Sequence, residues 1–403
     1  MGKQNVSCSE AKEKIKEQVM LSIDMTAECD DALLEEIIDS ALADCAWYIP
    51  YRDKVRIKKE IYNSLRRFDV LSELLEDDDI TDIMVNGTSD IYIDKNGIMQ
   101  ASGLRFDTPE KLENIIQHIV AGHNRVVNET NPIVDVRMED GSRVNIVLPP
   151  VAINGPAITI RKFPKLDFTM DRYIEMGTIS HEAAKFLKTA VIAGYNIFIS
   201  GGTGSGKTTL LNVLSGYIPR TERIITIEDS AELRIQGIDN IVRLETRNAN
   251  LEGKNEITMS DLIKSSLRMV PSRIIVGEVR GVEALDMMQA MNTGHDGSLS
   301  TGHANSAKDM ISRLETLVLT ARDFPMEAIR RQIASALDII VHLGRLRDRA
   351  RRVLEISEVL YSDREIVLNP LFQYDDGAEN GGCLVKTANH MHNTDKLVRK
   401  GFE

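Results

Sequence analysis

The sequence predicts an α/β protein built on a parallel-rich sheet, on three observations. The first is the run IFISGGTGSGKTTLL at residues 197–211, where a short apolar strand leads into Gly201-Gly202-Thr203-Gly204-Ser205-Gly206-Lys207-Thr208 and then into a helix-forming stretch. The second is the alternation of strand-length apolar runs with helix-length periodic runs over residues 178–343, the pattern of parallel strands joined by crossover helices. The third is a change of pattern ahead of it. Residues 70–161 read as short strands and turns of a mixed α+β domain, and residues 1–69 as a helical cap.

Taken in order, residues 31–48 (DALLEEIIDSALADCAWY) repeat apolar side chains at helical spacing, Pro50 ends that helix, and residues 53–68 begin another. The stripe is packing surface or the face of a partner helix. In the α+β domain, strands are expected at 80–86, 91–94, 133–138, 143–148 and 157–160, with a helix over 110–121. The Asp140-Gly141 pair between β-formers signals a hairpin. Arg137 and Arg143 flank that turn and Arg161 closes the last strand; ordinary exposed hairpin charges account for them equally well. Residues 162–177, with Pro164, break both periodicities and read as a linker.

From 178 to 368 the βα alternation runs helix 181–193, strand 196–200, helix 207–216, strand 223–228, helix 260–269, strand 273–277, helix 282–292, strand 298–301, helices 306–320 and 326–336, and strand 338–343. Ser306 with Asp309 is a capping box. Arg345, Arg347, Arg349, Arg351 and Arg352 form the one dense basic cluster, most simply a solvated hairpin. Residues 369–403 are polar and Gly/Asn-rich, so a loosely ordered tail or small appendage is expected, with His390 and His392 on its surface.

Composition narrows the function. With 42% hydrophobic and 27% charged residues in 403 the chain reads as an ordinary globular protein of two or three domains. Its net charge of −12 disfavours a nucleic-acid backbone as partner, because such binders carry a basic face. Cys8, Cys29, Cys45 and Cys383 show no CxxC spacing, so free or buried thiols in a reducing cytosol are expected rather than a zinc ribbon or disulfide framework. The polar start MGKQNVSCSE lacks the apolar core of a leader, and no apolar run approaches the ~18 residues of a membrane span. Val6 stands where a myristoylation signal has Ser or Thr, so neither membrane insertion nor a lipid anchor is expected.

The glycine-rich run carries chemistry. Phosphate oxygens need several backbone N–H donors converging on one point, and only a loop with little Cβ bulk wraps that closely. Gly201, Gly204 and Gly206 supply the freedom, the helix starting at Lys207 adds its positive end, Lys207 reaches the β- and γ-phosphates, and the Thr208 hydroxyl is a Mg²⁺ ligand. Gly202, Thr203, Ser205 and Thr209 complete the cradle. A nucleotide site follows.

Hydrolysis needs an acid near the attacking water and a second anchor for Mg²⁺. Glu278 ends the apolar strand RIIVG and Glu228 ends the strand after the loop helix, both where open α/β sheets place their ligands; either could face the water. His295 and His303 bracket the next strand and are candidate γ-phosphate sensors.

These runs, with RIIVGEVRGVEALDMMQAMNTGHDGSLSTGHANSAKDMISRLETLV, VRLETRNANLEGKNEIT, DGSRVNIVLPP and AITIRKF, resemble the type II/IV secretion system ATPase family, closest to its CpaF-like branch serving Tad/Flp pilus assembly. The likeness covers about residues 71–371 and four motifs in the family's order. It implies a RecA-like ATPase domain at 178–368, a homo-hexameric ring in the bacterial cytosol, ATP and Mg²⁺, and work on an inner-membrane platform protein of a pilus or secretion system. By the same resemblance the Walker A motif falls on Gly201 to Thr208, the acidic Asp box on Glu228 to Glu232, the Walker B glutamate, a metal-shell ligand, on Glu278, and the His box on His295 and His303. Arg243, Arg247, Arg137, Arg143 and Arg161 become candidates to reach the nucleotide, some across a subunit boundary.

Three departures stand out. Gly277 and Gly302 replace, respectively, the usual Walker B Asp and a larger apolar residue, the latter expected to loosen the His303 segment. The tetracysteine zinc module of many type II relatives is missing. Two rival classes compete: a RecA-like nucleic-acid motor, disfavoured by the acidic balance, and a nucleotide-gated scaffold with little turnover.

Overall fold

The computed structural model describes residues 8–23, 30–45, 47–122, 126–163, 169–247, 249, 254–346, 350–377 and 382–402. The chain divides into two compact units, Met1–Leu166 and Asp167–Glu403.

The first unit opens with three helices, α1 (Cys8–Ser22), α2 (Asp31–Asp44) and α3 (Tyr51–Arg66). Ile15, Val19, Leu34, Ile38, Ile57 and Ile61 recur at helical spacing and bury one shared core. Asp30 caps α2, its carboxylate accepting from the Leu33 N–H at 2.8 Å. After α4 (Leu71–Glu76) come β1 (Ile80–Asn86), β2 (Asp90–Lys95), β3 (Ile98–Ala101), α5 (Pro109–Ala121), β4 (Ile133–Arg137), β5 (Arg143–Val147) and β6 (Ala157–Arg161). The six strands form one antiparallel sheet in the order β3-β2-β1-β6-β5-β4, with α5 on the apolar face. Gly141, at φ +90°, makes the expected β4–β5 turn with the Asp140 carboxylate accepting from the Ser142 N–H.

The second unit begins with α6 (Met170–Glu175), inside the stretch expected to be linker; residues 164–168, Pro164 among them, lie outside the described residues. The chain continues through α7 (His181–Ala193), β7 (Ile197–Gly201), α8 (Lys207–Ser215), β8 (Ile224–Glu228), β9 (Ile241–Glu245), α9 (Met259–Ser266), β10 (Arg273–Val276), α10 (Glu283–Met291), β11 (Leu299–Gly302), α11 (Ala307–Ala321), α12 (Met326–Ala336) and β12 (Ile339–Arg345). It closes with β13 (Arg351–Ser362), β14 (Glu365–Asp375), β15 (Cys383–Lys386) and α13 (Asp395–Arg399). The nine-stranded sheet runs β15-β14-β13-β12-β7-β11-β10-β8-β9. Neighbours from β12 to β9 are parallel, and β13, β14 and β15 extend it antiparallel. Central strands are buried on both faces, so Ile197 and Ile199 enter one core while Phe198 enters the other.

Three expectations need correction. The segment read as a loose tail from 369 is built into the sheet: β14 spans that boundary, and β15 pairs with β14. Beyond β15 the fully buried Glu358 carboxylate accepts from the N–H groups of His392 and Asn393 and from Asn369 Nδ2. Tyr195 donates to the Asn393 carbonyl, and Lys396 reaches Asp338 Oδ2 at 2.8 Å. Polar composition hides this because the apolar anchors, Leu371, Phe372 and Leu384, are few and scattered among polar residues. Second, Ser306 caps α11 through the Asp309 N–H, while the reciprocal capping box lies at Thr258 and Asp261 of α9. Third, the edge strand β9 was not expected, since its VRLE core mixes charged and apolar residues. Of the cysteines, Cys45 and Cys383 carry free thiols. Cys29, Arg347 and Arg349 lie outside the described residues.

Candidate nucleotide-binding and catalytic site

The loop between β7 and α8 folds around its own backbone. The Gly202 carbonyl accepts from the Ser205 N–H (3.3 Å), Ser205 Oγ (2.9 Å) and Lys207 Nζ (3.0 Å). Gly206 caps α8 at φ +97°, in the left-handed region where a side chain is strained. A Cβ on Gly201 would stand 2.6 Å from the Leu343 carbonyl oxygen and from Ser205 Oγ, so that position admits only glycine. Lys207 is 7% exposed, and burial holds its ammonium below the ordinary lysine range, partly offset by Glu278. A desolvated cation at a helix start, ringed by backbone donors, matches a polyphosphate.

The acids come from neighbouring strands. β8 and β10 are parallel with Ile227 opposite Val276, so Gly277 comes beside Glu228 and Glu278 follows one residue further, both acids at the C-terminal edge of the sheet. Glu228 is 3% exposed, and its Oε1 accepts from the Glu232 N–H at 2.8 Å and the Leu233 N–H at 3.0 Å. This carboxylate fastens the loop after β8. A Cβ on Gly277 would fall 2.9 Å from Glu228 Cγ, which explains a glycine where the resemblance leads one to expect Asp.

Glu278 joins the phosphate loop through a histidine. Lys207 Nζ stands 3.2 Å from His303 Nδ1, and His303 Nε2 stands 2.6 Å from Glu278 Oε1, close but not aligned as a hydrogen bond. An ammonium only donates, so Nδ1 accepts and the ring proton sits on Nε2, facing the carboxylate. Burial, then the Lys207 charge, hold the imidazole below its ordinary pKa, so it stays neutral at pH 7. The expected loosening at Gly302 does not occur: the space is filled, with Phe198 Cε1 2.9 Å and Met310 Sδ 3.0 Å from where a Cβ would be.

Two arginines that sequence reasoning missed line the same cleft of about 460 Å³ with Gly202, Thr203, His303 and Asn305. Arg280 donates to Glu278 Oε2 at 2.6 Å and lies 3.6 Å from Asp229, tying the two acidic segments together. Its position two residues after Glu278 was a legible signal. Arg313, on α11, carried none.

Other candidates lie elsewhere. His295 stands at the opposite end of β11 from His303, its Nδ1 3.0 Å from the Ala290 carbonyl at the end of α10; the structure does not bring it to the phosphate loop, because the strand separates them. Arg243 and Arg247 sit on and just past edge strand β9, four strands from β7, roughly 19 Å at ~4.8 Å per strand. Arg247 Nε donates to the Asn255 carbonyl. Within the first unit, Arg137, Arg143 and Arg161 pair in register across β4, β5 and β6, forming one cationic row, with Arg161 bonded to Asp82 at 2.8 Å.

Among the described residues, no three His, Cys, Asp or Glu side chains group to hold a metal ion. Mg²⁺ keeps most of its shell as water and phosphate oxygens and needs only one or two protein ligands; Glu278 Oε1, buried without a hydrogen-bond partner, is an oxygen of the kind it takes. No helix among the described residues is long and apolar enough to cross a membrane.

A family model described as Type II/IV secretion system protein matches residues 65–383. The chain is 34% identical over 307 residues to the type IV secretion system protein PtlH of Bordetella pertussis, covering 69% of this chain and 90% of that one. It is 32% identical over 323 residues to a putative conjugal transfer protein of Mycobacterium tuberculosis, covering 78% and 91%. In fold it is similar to the pilus retraction motor PilT with bound ADP, at a TM-score of 0.53, 21% identity and coverage of 82% and 86%.

Proposed function

Because the chain belongs to the type II/IV secretion system protein family, we propose that it is the motor of such a system: an ATP hydrolase acting as a homo-hexameric ring in the cytoplasm, peripheral to the inner membrane through a platform-type partner. The relatives named above favour a type IV secretion or conjugation-type system. Tad/Flp pilus assembly is the second reading, favoured by the motif resemblance. The proposed domain division is a helical cap, an α+β domain, a linker at 162–177 and a RecA-like domain at 178–368.

The observation that carries this reading is the chain of contacts from Lys207 through His303 to Glu278, beside a glycine cradle at the C-terminal edge of a parallel sheet. ATP binds with its β- and γ-phosphates on the Gly201 to Thr208 backbone, and Lys207 turns from His303 to the phosphate. Thr208 and Glu278 would hold Mg²⁺, which when bound neutralises phosphate charge. Glu278, rather than Glu228, is the acid facing the reacting phosphate, because it meets the phosphate-loop lysine through His303 while Glu228 Oε1 is turned to the backbone of the loop after β8. Water attacks the γ-phosphorus, Glu278 accepts its proton, the bond to the β–γ bridging oxygen breaks, and ADP and phosphate leave. His303 reads the γ-phosphate by the proton on Nε2, and Glu228 positions Glu278 by packing against Gly277.

The test is ADP binding and ATP turnover in three variants. Lys207→Ala should lose both by about 100-fold or more. Glu278→Gln should bind nucleotide normally yet lose turnover about 100-fold, whereas Glu228→Gln should lose less. Parent-like hydrolysis by Lys207→Ala would sink the proposal, and turnover that rises severalfold with added DNA would favour the nucleic-acid motor.

A further inference from the structure

The basic cluster near residue 350 has no place in the mechanism above, but the fold sets part of it against the phosphate loop. Strand β12 runs parallel beside β7 with Leu343 opposite Gly201, continues two residues further to Arg345, and is answered across the hairpin by Arg351 at the start of β13. Hairpin and phosphate loop therefore share one end of the sheet. Arg351 Cδ lies 3.6 Å from where a Cβ on Gly206 would stand, and the Tyr173 hydroxyl 3.9 Å from the same point. Burial pushes the Tyr173 phenol well above its ordinary range, offset in part by the Arg351 charge and the Thr209 side chain.

The two flanks of β7 differ. On the β11 side stand His303 and, one strand further, Glu278, both beside the Lys207 ammonium that addresses the β- and γ-phosphates. On the β12 side stand Arg351, Tyr173 and Thr209. A nucleotide held with its terminal phosphate toward the first flank must leave the loop across the second, α-phosphate first and sugar next.

We propose that Arg351, with Tyr173 behind it, forms the α-phosphate and ribose side of the nucleotide site. The inference rests on the reading of the loop as a nucleotide site. Arg351 is exposed, and its planar guanidinium offers a fork of donors to two phosphate oxygens; Tyr173, 6% exposed, backs the arginine from within the fold. A chain of net charge −12 also needs local positive charge to draw in a polyanion, and this hairpin supplies it.

The experiment titrates the full-length parent, Arg351→Ala and Arg351→Lys with ADP and with a non-hydrolysable ATP analogue, and measures kcat and KM for ATP. Arg351→Ala should weaken both nucleotides by a similar factor of about 10. KM should rise about as much with kcat within about twofold, and Arg351→Lys should recover part of the affinity. Equal ADP affinity in parent and Arg351→Ala, or a loss of kcat at unchanged KM, would overturn the assignment while leaving the nucleotide site standing. Failure of the parent to bind ADP would instead remove the underlying reading, and this inference with it.

Discussion

Gly277 shows how one missing methyl group arranges two carboxylates. Because β8 and β10 are adjacent and parallel, any side chain at residue 277 would strike Glu228, whose oxygen already holds the Glu232 and Leu233 N–H groups. Gly277→Ala should therefore cost about 1–3 kcal/mol, since Glu228 cannot retreat without breaking those bonds. Thermal or urea denaturation checks it; a variant as stable as the parent would mean the carboxylate has room to move. His303 illustrates the same closeness electrostatically. Its burial beside Lys207 favours the neutral ring, the form that can accept from the ammonium while keeping a proton for a carboxylate or phosphate. Sequence order alone ranked His295 and His303 as equals. Only the direction of β11 separates them, sending one to the loop and the other to the end of α10.

At the scale of elements, the site depends on strands other than the one that leads into the phosphate loop. β12 supports the base of the phosphate loop through the Leu343 backbone beside Gly201, and β13 carries the Glu358 carboxylate that clasps the C-terminal segment. Glu358 is fully buried and accepts from two backbone N–H groups and the Asn369 amide. Glu358→Ala should strand those donors, lower stability by about 2–4 kcal/mol and expose residues 388–402 to protease. Retained protease resistance of that segment in the variant would show that Tyr195 and Lys396 suffice to hold it. Helix and strand positions were largely legible, because the alternation from 181 to 343 follows the periods of buried strands and amphipathic helices. β9 and β15 were not, since edge strands are half solvated and lack a continuous apolar run.

At the scale of the whole molecule, the candidate arginines do not all serve one site. Arg243 and Arg247 belong to the edge of the sheet farthest from β12, about four strand spacings, ~19 Å, from the phosphate-loop strand of their own chain. In the proposed ring they would act on a neighbour's nucleotide, which couples hydrolysis to assembly. An Arg243→Ala, Arg247→Ala double variant and Lys207→Ala should each hydrolyse ATP poorly alone. Mixed before assembly they should recover a measurable fraction of parent turnover, because some interfaces then join an intact loop to an intact arginine. Additive, uncomplemented rates in the mixture would rule out the trans role. The row formed by Arg137, Arg143 and Arg161 in the antiparallel sheet is a second source of charge, built by register rather than by sequence proximity.

The sequence by itself determined the phosphate loop, its strand and helix, the two acids and the family motifs, because each depends on local chemistry: glycine freedom, a lysine at a helix start, an acid ending an apolar strand. The tertiary structure alone decided which groups meet. Strand order and direction bring His303, Glu278 and Arg280 to one cleft, commit Glu228 to its loop and turn the basic hairpin toward Gly206. Such juxtapositions join residues up to about 150 positions apart, and hydrogen-bond register between strands, not spacing along the chain, sets them.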